Sequence, residues 1–525
     1  MGDYKLTGRE SLGIEFGSTR IKAVLVDEEC NPIASGGHNW ENRLENGIWT
    51  YHNEDIWQGL QDAYSKLNMD CEEKFGEKIT ELASIGFSAM MHGYLPFDKN
   101  GEQLAEFRTW RNTITADSAK ELTDLFNFNI PQRWSIAHLY QAILNDEPHV
   151  KDIDYLTTLE GYVHWKLSGR KVIGIGEASG MFPIDSTKMQ YDAEMIEKFS
   201  NLDKVKAYDW NIIDILPEIL LAGEEAGRLT EEGAKLLDVS GNLKAGAVMA
   251  PPEGDAGTGM TATNSVTVKT GNVSAGTSIF AMIVLEKQLS RVYEAVDMVT
   301  TPGGMPVAMV HCNNCCTDLD YWVDIFAEFD KAVGNDTPKY KIYDLLYELA
   351  LKGDPNCGGV VNFNYFSGEP VSETEDGRPM FLRTQNCNFN LPNFFRAQIY
   401  STMATLKIGM EILEKENVKI DCLMGHGGLF KTPIVGQRLM AGAMNCPVAV
   451  METAGEGGAW GMAVLARYVI DGSGKSLPEY LNQNVFSKCN SSTIEPNEAD
   501  VAGFEDYIKL YKSALPIQRS AYQNI

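Results

Sequence analysis

The chain reads as two α/β domains with mixed sheets, and three observations point there. Its 525 residues, 44% of them hydrophobic, exceed what one ordinary core organises, so two large domains are expected. Near the start, three strand-like segments, a helical one, a further strand and a helix follow each other, an order that suits a mixed sheet covered by helices. About half a chain later a second strand–turn–strand segment returns with the same kind of tip, a glycine followed by two hydroxyl residues.

The first hairpin is "GIEFGSTRIKAVLV", beginning at Gly13. "SLGIEF" and "RIKAVLVD" are its strands and Gly17-Ser18-Thr19 its tip. Glu15 stands in an otherwise apolar strand, where a buried charge is costly without a partner. "NPIASGGHNW" supplies a third strand. Asn53 then precedes a helix in which Ile56, Leu60, Ala63 and Leu67 recur at helical spacing, with acids in the first turn. "ITELASIGFSAMMHGYLPFD" is a buried strand followed by an irregular segment.

The second hairpin, "NSVTVKTGNVSAGTSIFAMIVLEK", has Gly276-Thr277-Ser278 at its tip. Between the hairpins, "MAPPEGDAGTGMTATN" is rich in Gly, Pro and Asp, a composition shift that marks a domain boundary. The expected domains are therefore 1–253 and 254–472. The C-terminal part reads as two β-loop-α units, "KIDCLMG"–"HGGLFKTP"–"IVGQRLMAGAMN" and "PVAVME"–"TAGEGG"–"AWGMAVLARYVI", with glycine-rich loops of the kind that receive flat or phosphorylated ligands. A polar tail, 473–525, is expected to pack on the domains or on a neighbouring subunit.

A formal net charge of −27 argues against nucleic acid and anionic membranes as partners. An anionic substrate then needs local help from backbone amides, lysines or a metal. The N-terminus "MGDYKLTG" lacks an apolar signal core, and Leu6 occupies the position where a myristoylation signal wants Ser or Thr. No apolar run approaches the ~20 residues of a membrane span, so a cytoplasmic protein is expected. Ten irregularly spaced cysteines suit free thiols in a reducing compartment. In the cluster His311-Cys312-Asn313-Asn314-Cys315-Cys316, a zinc site lacks a second ligand pair, since the next cysteine, Cys357, stands without one. Buried small residues lining a substrate cleft is the simpler reading.

Gly17-Ser18-Thr19 and Gly276-Thr277-Ser278 offer backbone N–H groups and hydroxyls of the kind that cradle phosphate. Either could equally be only a hairpin turn. Lys22 on the outgoing strand is a phosphate contact or an ordinary solvated lysine. Asp255, in "EGDAGTG", either caps the helix that follows or serves as a carboxylate base for a hydroxyl nucleophile in phosphoryl transfer. "GTGMTA" and "GIGEASG" fail as dinucleotide fingerprints, because neither sits in a β-α-β unit with a ribose-binding acid. No eight-residue phosphate-loop pattern ending in Gly-Lys-(Ser/Thr) exists, so a nucleotide site must be of another type.

These segments together resemble the FGGY carbohydrate kinase family, of the actin–hexokinase–chaperone ATPase superfamily, from Gly13 to about Ala466. "GIEFGSTRIKAVLV" resembles the family's first phosphate motif and "NVSAGTS" its second. "GFSAMMHGYLPFD" is similar to the segment that presents a Met-His pair, here Met91-His92, to the sugar of xylulose kinases. "RTWRN" resembles the next substrate segment, with Trp110 and Asn112 in its polar-aromatic positions. "GDAGTG" is similar to the catalytic-aspartate motif, and "GHGGLFKTPIVGQRLMAGAMNCPVAV" with "GEGGAWGMAVLA" to the adenosine motif and its closing helix.

The resemblance implies two actin-like (ribonuclease H-like) domains flanking a cleft, ATP and Mg²⁺ as cofactors, and a small-molecule ketose such as xylulose or ribulose as substrate. It makes Asp255 the base and Glu15 a magnesium-holding acid, acting through water. It places ATP near Gly427, Gly428, Lys431, Gly457 and Gly458. Dimers are common in the family, so a homodimer is compatible with it. Three departures stand out: Glu15 replaces the usual Asp, Met90 replaces a Gln before Met-His, and the acid or amide expected after Trp110 is displaced to Asn112. A rival from another class, an actin-like ATPase acting as chaperone or scaffold, needs no sugar pocket; sugar-stimulated ATP turnover separates the two.

Overall fold

Ser11–Phe16 and Arg20–Val26 form the antiparallel hairpin read from the sequence, and Pro32–Asn39 extends it. The computed structural model describes residues 4–455, 457–472 and 474–525. Ser84–Ala89 lies parallel to Ser11–Phe16 on the other side, and the short strands Val248–Met249 and Glu253–Gly254 lie parallel to Ser84–Ala89. Every residue of Ser84–Ala89 is buried, as expected of a central parallel strand. The helix Asn53–Phe75 covers one face of this mixed sheet, and Ile56, Leu60, Ala63 and Leu67 all enter the core.

Packing groups the described residues into two compact units, and neither is one contiguous stretch. The first takes residues within Met1–Val266, Glu286–Val307 and Glu456–Lys488. The second takes Thr267–Leu285, Ala308–Gly455 and Cys489–Ile525. The helix Gly457–Asp471 belongs to the first unit and presses on its central strand. A Cβ on Gly13 would lie 2.1 Å from the Ala459 carbonyl oxygen and 2.3 Å from the Ala463 nitrogen, so only glycine admits this approach.

The second unit repeats the plan. Its hairpin is Thr270–Ala275 with Ile279–Val284, antiparallel, and Pro306–Cys312 follows Ile279–Val284 in the sheet order. Cys422–Gly427 runs parallel to Thr270–Ala275, and Val448–Met451 parallel to Cys422–Gly427. Strand Ser491–Ile494, from the tail, completes this edge antiparallel to Val448–Met451. The long helix Glu498–Asn524 then packs on the same unit. Its Asp500 accepts from the buried Arg396 at 2.5 Å and from Arg438 at 2.7 Å, and these guanidinium partners hold its carboxyl below the usual range despite burial. Among the described residues no helix is long and apolar enough to cross a membrane.

Candidate functional site

In the first unit, the hairpin tip is tied down from three sides. Trp40 donates its indole N–H to the Gly17 carbonyl at 2.7 Å, and Tyr51 its hydroxyl to the Ser18 carbonyl at 2.7 Å. Those two rings stack with centroids 4.0 Å apart. Trp110, 37% exposed, donates its indole N–H to Ser18 Oγ at 3.3 Å. A residue read as sugar-binding and one read as phosphate-binding are thus neighbours. Thr19 is exposed at the tip, where its hydroxyl is open to solvent.

Glu15 sits one pleat before the tip, cross-strand from Lys22 and beside Ser88. Ala459 at the start of the helix Gly457–Asp471 donates its N–H to Glu15 Oε2 at 3.2 Å. A Cβ on Gly458 would lie 2.3 Å from Glu15 Oε1, so this glycine leaves room for the carboxylate. The sequence groups Gly457 and Gly458 with the second domain's adenosine loops; the structure puts their helix N-terminus in the first unit, against Glu15. Burial, then the Asp255 charge, pushes the Glu15 carboxyl up to about 7, while the Ala459 N–H and Lys22 pull it back.

Asp255 is the first residue of the helix Asp255–Ala262; the capping position belongs to Gly254. Its carboxylate Oδ1 accepts the Met91 N–H at 3.1 Å, and burial raises its pKa against the backbone N–H groups that lower it. Asp255 as a residue is half-buried.

His92, at the irregular turn after Ser84–Ala89, has φ +74°. Its ring stacks on Trp134 with centroids 6.2 Å apart, and Nδ1 lies 3.3 Å from the Gly180 carbonyl. A carbonyl only accepts, so Nδ1 carries the proton and Nε2 offers a lone pair. Burial, with the Arg133 charge behind it, holds the imidazole well below its usual range, so it is neutral. Met91 is buried beside it. Asn112 is 1% exposed, and its amide is committed to backbone: Oδ1 accepts the Trp49 N–H at 2.8 Å, and Nδ2 donates to the Trp49 and Thr109 carbonyls at 2.8 and 2.9 Å. It holds the Trp110 loop in place with no N–H left over for a ligand.

The sequence missed three acids. Glu160, Glu177 and Glu253 are all buried. Glu253 accepts the N–H groups of Gly176 and Glu177, and burial raises its carboxyl to about 8. Glu177 accepts the His92 N–H at 2.8 Å. The signal lay in "GIGEASG", whose glycines leave space for carboxylates and a histidine rather than for a dinucleotide.

In the second unit, Gly276, Thr277 and Ser278 form the tip of its hairpin, closed by Gly276 N–H donating to the Ser278 carbonyl at 2.9 Å. Cys315 and Cys316 donate their N–H groups to the Thr277 and Gly276 carbonyls at 2.9 and 3.0 Å. The His311–Cys316 segment is therefore a brace for this tip. Its cysteines are free thiols, and no metal-holding group of His, Cys, Asp or Glu exists among the described residues. Gly427 pairs with Ala275 in register, which brings Gly427 and Gly428 to the same end of the sheet as the tip. Gly427 has φ +98° and ψ −173°, a region essentially restricted to glycine. Lys431 is exposed one turn later, its N–H on the Gly428 carbonyl.

For magnesium, the first unit offers hard carboxylate oxygens on Glu15 and Asp255, whose charges raise one another's cost. A divalent cation relieves that repulsion. Two carboxylates without a full protein cage is the donor set Mg²⁺ takes when water and phosphate complete its shell. The residues fit the ion.

Comparison with known proteins matches residues 11–243 to the N-terminal domain and residues 271–470 to the C-terminal domain of the FGGY family of carbohydrate kinases. A xylulose kinase of Haemophilus influenzae is 20% identical over 519 residues, covering 96% of this chain and 99% of the relative. Among solved structures, the ligand-bound xylulose kinase of Lactobacillus acidophilus superposes with a TM-score of 0.78 at 16% identity, over 98% of this chain and 100% of that one. A gluconate kinase of Lactobacillus acidophilus gives 0.77 at 17% identity, over 98% and 99%. These last two likenesses bear on the fold.

Proposed function

The chain belongs to the FGGY family of carbohydrate kinases, ATP-dependent enzymes that use Mg²⁺, and on that premise we propose that it phosphorylates the terminal hydroxyl of an open-chain ketopentose, xylulose ahead of ribulose. The observation that carries the reading is the Asp255 carboxylate held by the Met91 N–H, one residue from the neutral His92 imidazole. The turn that carries the hydroxyl-recognising imidazole thereby also holds the base, through the Met91 N–H.

In this reading Asp255 takes the proton of the terminal hydroxyl as its oxygen attacks the γ-phosphorus of ATP in line, the bond from that phosphorus to the β–γ bridging oxygen breaks, and ADP leaves. His92 Nε2 accepts from a sugar hydroxyl, and Met91 and Trp110 supply apolar surface to the carbon chain. The N–H groups and hydroxyls of Gly17-Ser18-Thr19 and Gly276-Thr277-Ser278 receive phosphate oxygens, with Lys22 and Lys431 as cationic support. Gly427 and Gly428 make room for the nucleoside. Glu15, with Asp255, would hold the magnesium ion, which when bound neutralises phosphate charge. Glu15 stands where the Asp usual in the family would be and is one methylene longer. Asn112 orders the loop that carries Trp110.

The names of the similar proteins bear on the substrate class, and the gluconate kinase among them makes gluconate a competitor. The test is ATP-dependent phosphorylation of a panel containing xylulose, ribulose, hexuloses, gluconate and glycerol. Xylulose should give the highest kcat/KM. A clear preference for glycerol or gluconate would overturn the ketopentose assignment.

A further inference from the structure

The segment "GIGEASG", residues 174–180, fails as a dinucleotide fingerprint, yet it packs against the turn that carries the site. Glu177 lies in the helix Ile175–Met181, all of whose residues are buried. Its Oε1 accepts the His92 N–H at 2.8 Å. The preceding N–H, that of Met91, goes to Asp255 Oδ1 at 3.1 Å. Two consecutive amides therefore end on two carboxyl groups, one of them the proposed base. Directly after these amides the backbone takes a conformation most residues avoid, with φ +74° at His92 and +130° at Gly93. Such a turn persists only where its surroundings impose it.

The surroundings are built for this. A Cβ on Gly254 would lie 2.4 Å from Glu177 Oε2, and one on Gly180 would lie 2.5 Å from His92 Nδ1. The same short helix thus delivers a carboxyl to the His92 N–H and, through the Gly180 carbonyl, an acceptor to the imidazole. Glu253 fixes the start of that helix by accepting from Gly176 and Glu177, and Glu253 stands two residues before Asp255. Glu160, whose hydroxyl partner is Thr158, faces Glu177 from the neighbouring helix Leu159–Ser168. Two buried carboxyls facing each other do not both ionise. Burial and Glu160 raise Glu177 well above the usual carboxyl range, so Glu177 serves as a neutral acid whose carbonyl oxygen is the acceptor.

Resting on the kinase reading above, we propose that Glu177 is a positioning residue: by holding the His92 N–H it locks the Met91–His92–Gly93 turn, which aims the Met91 N–H at Asp255 and the imidazole at the sugar. It touches neither substrate. Its action is on kcat and on sugar KM, and ATP is outside its reach.

The test compares wild-type enzyme with Glu177→Gln and Glu177→Ala at saturating Mg²⁺. Glutamine keeps the acceptor oxygen and replaces a neutral acid by a neutral amide. Glu177→Gln is expected to stay within about threefold of wild type in kcat and sugar KM. Alanine removes the acceptor of a buried N–H, so Glu177→Ala is expected to lose roughly tenfold or more in kcat/KM for the ketose, with ATP KM unchanged. Hydrogen–deuterium exchange of the resting proteins supplies a readout independent of turnover: residues 91–93 should exchange faster in the alanine variant alone. Equal loss in both variants, or a loss shared by ATP and sugar, would overturn the clamp. So would unaltered exchange of the turn in Glu177→Ala. Wild-type enzyme without ketose phosphorylation, but with Glu177-dependent protection of the turn, would sink the ketose assignment and leave the clamp standing.

Discussion

Replacing Glu15 by glutamine separates a carboxylate kept for a cation from one that merely packs. In the cation-free protein, burial and Asp255 raise this carboxyl from its ordinary 4.5 to about 7. Between those two values the folded chain binds more protons than the unfolded one, so stability falls as pH rises through that window and levels off above it. At about 1.4 kcal/mol per pKa unit, the ionised side chain costs the fold up to about 3 kcal/mol above pH 7. That figure is an upper one, because Glu15 is only half-buried and retains some water. Glu15→Gln abolishes the titration while the other buried acids stay in place, and it also relieves Asp255. Relative to wild type, the variant should therefore gain melting temperature as pH is raised from 5 to 8. Millimolar Mg²⁺ at pH 8 should raise the wild-type melting temperature and leave the variant's little changed. The assay is thermal unfolding of both proteins at the two pH values, with and without Mg²⁺. Melting temperatures that move in parallel with pH and ignore Mg²⁺ would refute both the buried charge and its cation.

Three further outcomes follow. His92→Asn should weaken the ketose by more than about 1 kcal/mol, the net value of one neutral hydrogen bond, because a buried sugar hydroxyl is left unpaired; steady-state kinetics with xylulose and ribulose should show sugar KM raised and ATP KM little changed. Gly427→Ala puts a Cβ 2.4 Å from the Ala275 carbonyl oxygen at φ +98°. The backbone must shift at the loop assigned to ATP, so ATP KM should rise by roughly tenfold, for a strain of 1–3 kcal/mol, while sugar KM holds; equal effects on both substrates would count against the assignment. Trp110→Ala frees Ser18 Oγ from its indole donor and should raise the KM values of both ketose and ATP, measured in the same assay.

Local chemistry made much of this molecule legible before the structure. The two hairpin tips announce themselves because Gly, Ser and Thr at a strand-to-strand turn leave a short-range signature, and the helix Asn53–Phe75 because Ile56, Leu60, Ala63 and Leu67 mark one face. The start of the helix Asp255–Ala262 is legible through the small, glycine-rich neighbours of Asp255. What escaped depends on contacts between residues distant in sequence. Nothing near Gly457 says that its helix lies on Gly13 and Glu15, a close approach set by the absence of two side chains 440 or more residues away from their neighbours in the chain. Glu160, Glu177 and Glu253 look like ordinary surface acids until burial brings them together. Asn112 carries the residue type of a sugar contact, yet its whole amide serves the backbone of Trp49 and Thr109. Cys315 and Cys316 resemble metal ligands by identity, and their contribution to the hairpin tip is made by the main chain.

Asp255→Asn separates a general base from a carboxylate that only orders the turn. Asparagine keeps an acceptor for the Met91 N–H and the start of the helix; it removes the negative charge and with it the capacity to take a proton, so the comparison is made at saturating Mg²⁺, where Glu15 still offers the ion a carboxylate. Ketose phosphorylation should fall by about 10² to 10⁴, the usual contribution of a general base. ATP binding, measured by calorimetry on the same preparation, should stay within a few-fold of wild type. A variant that keeps kcat within a few-fold of wild type, with the same pH profile, would contradict Asp255 as the base and with it the account of how this site transfers phosphate.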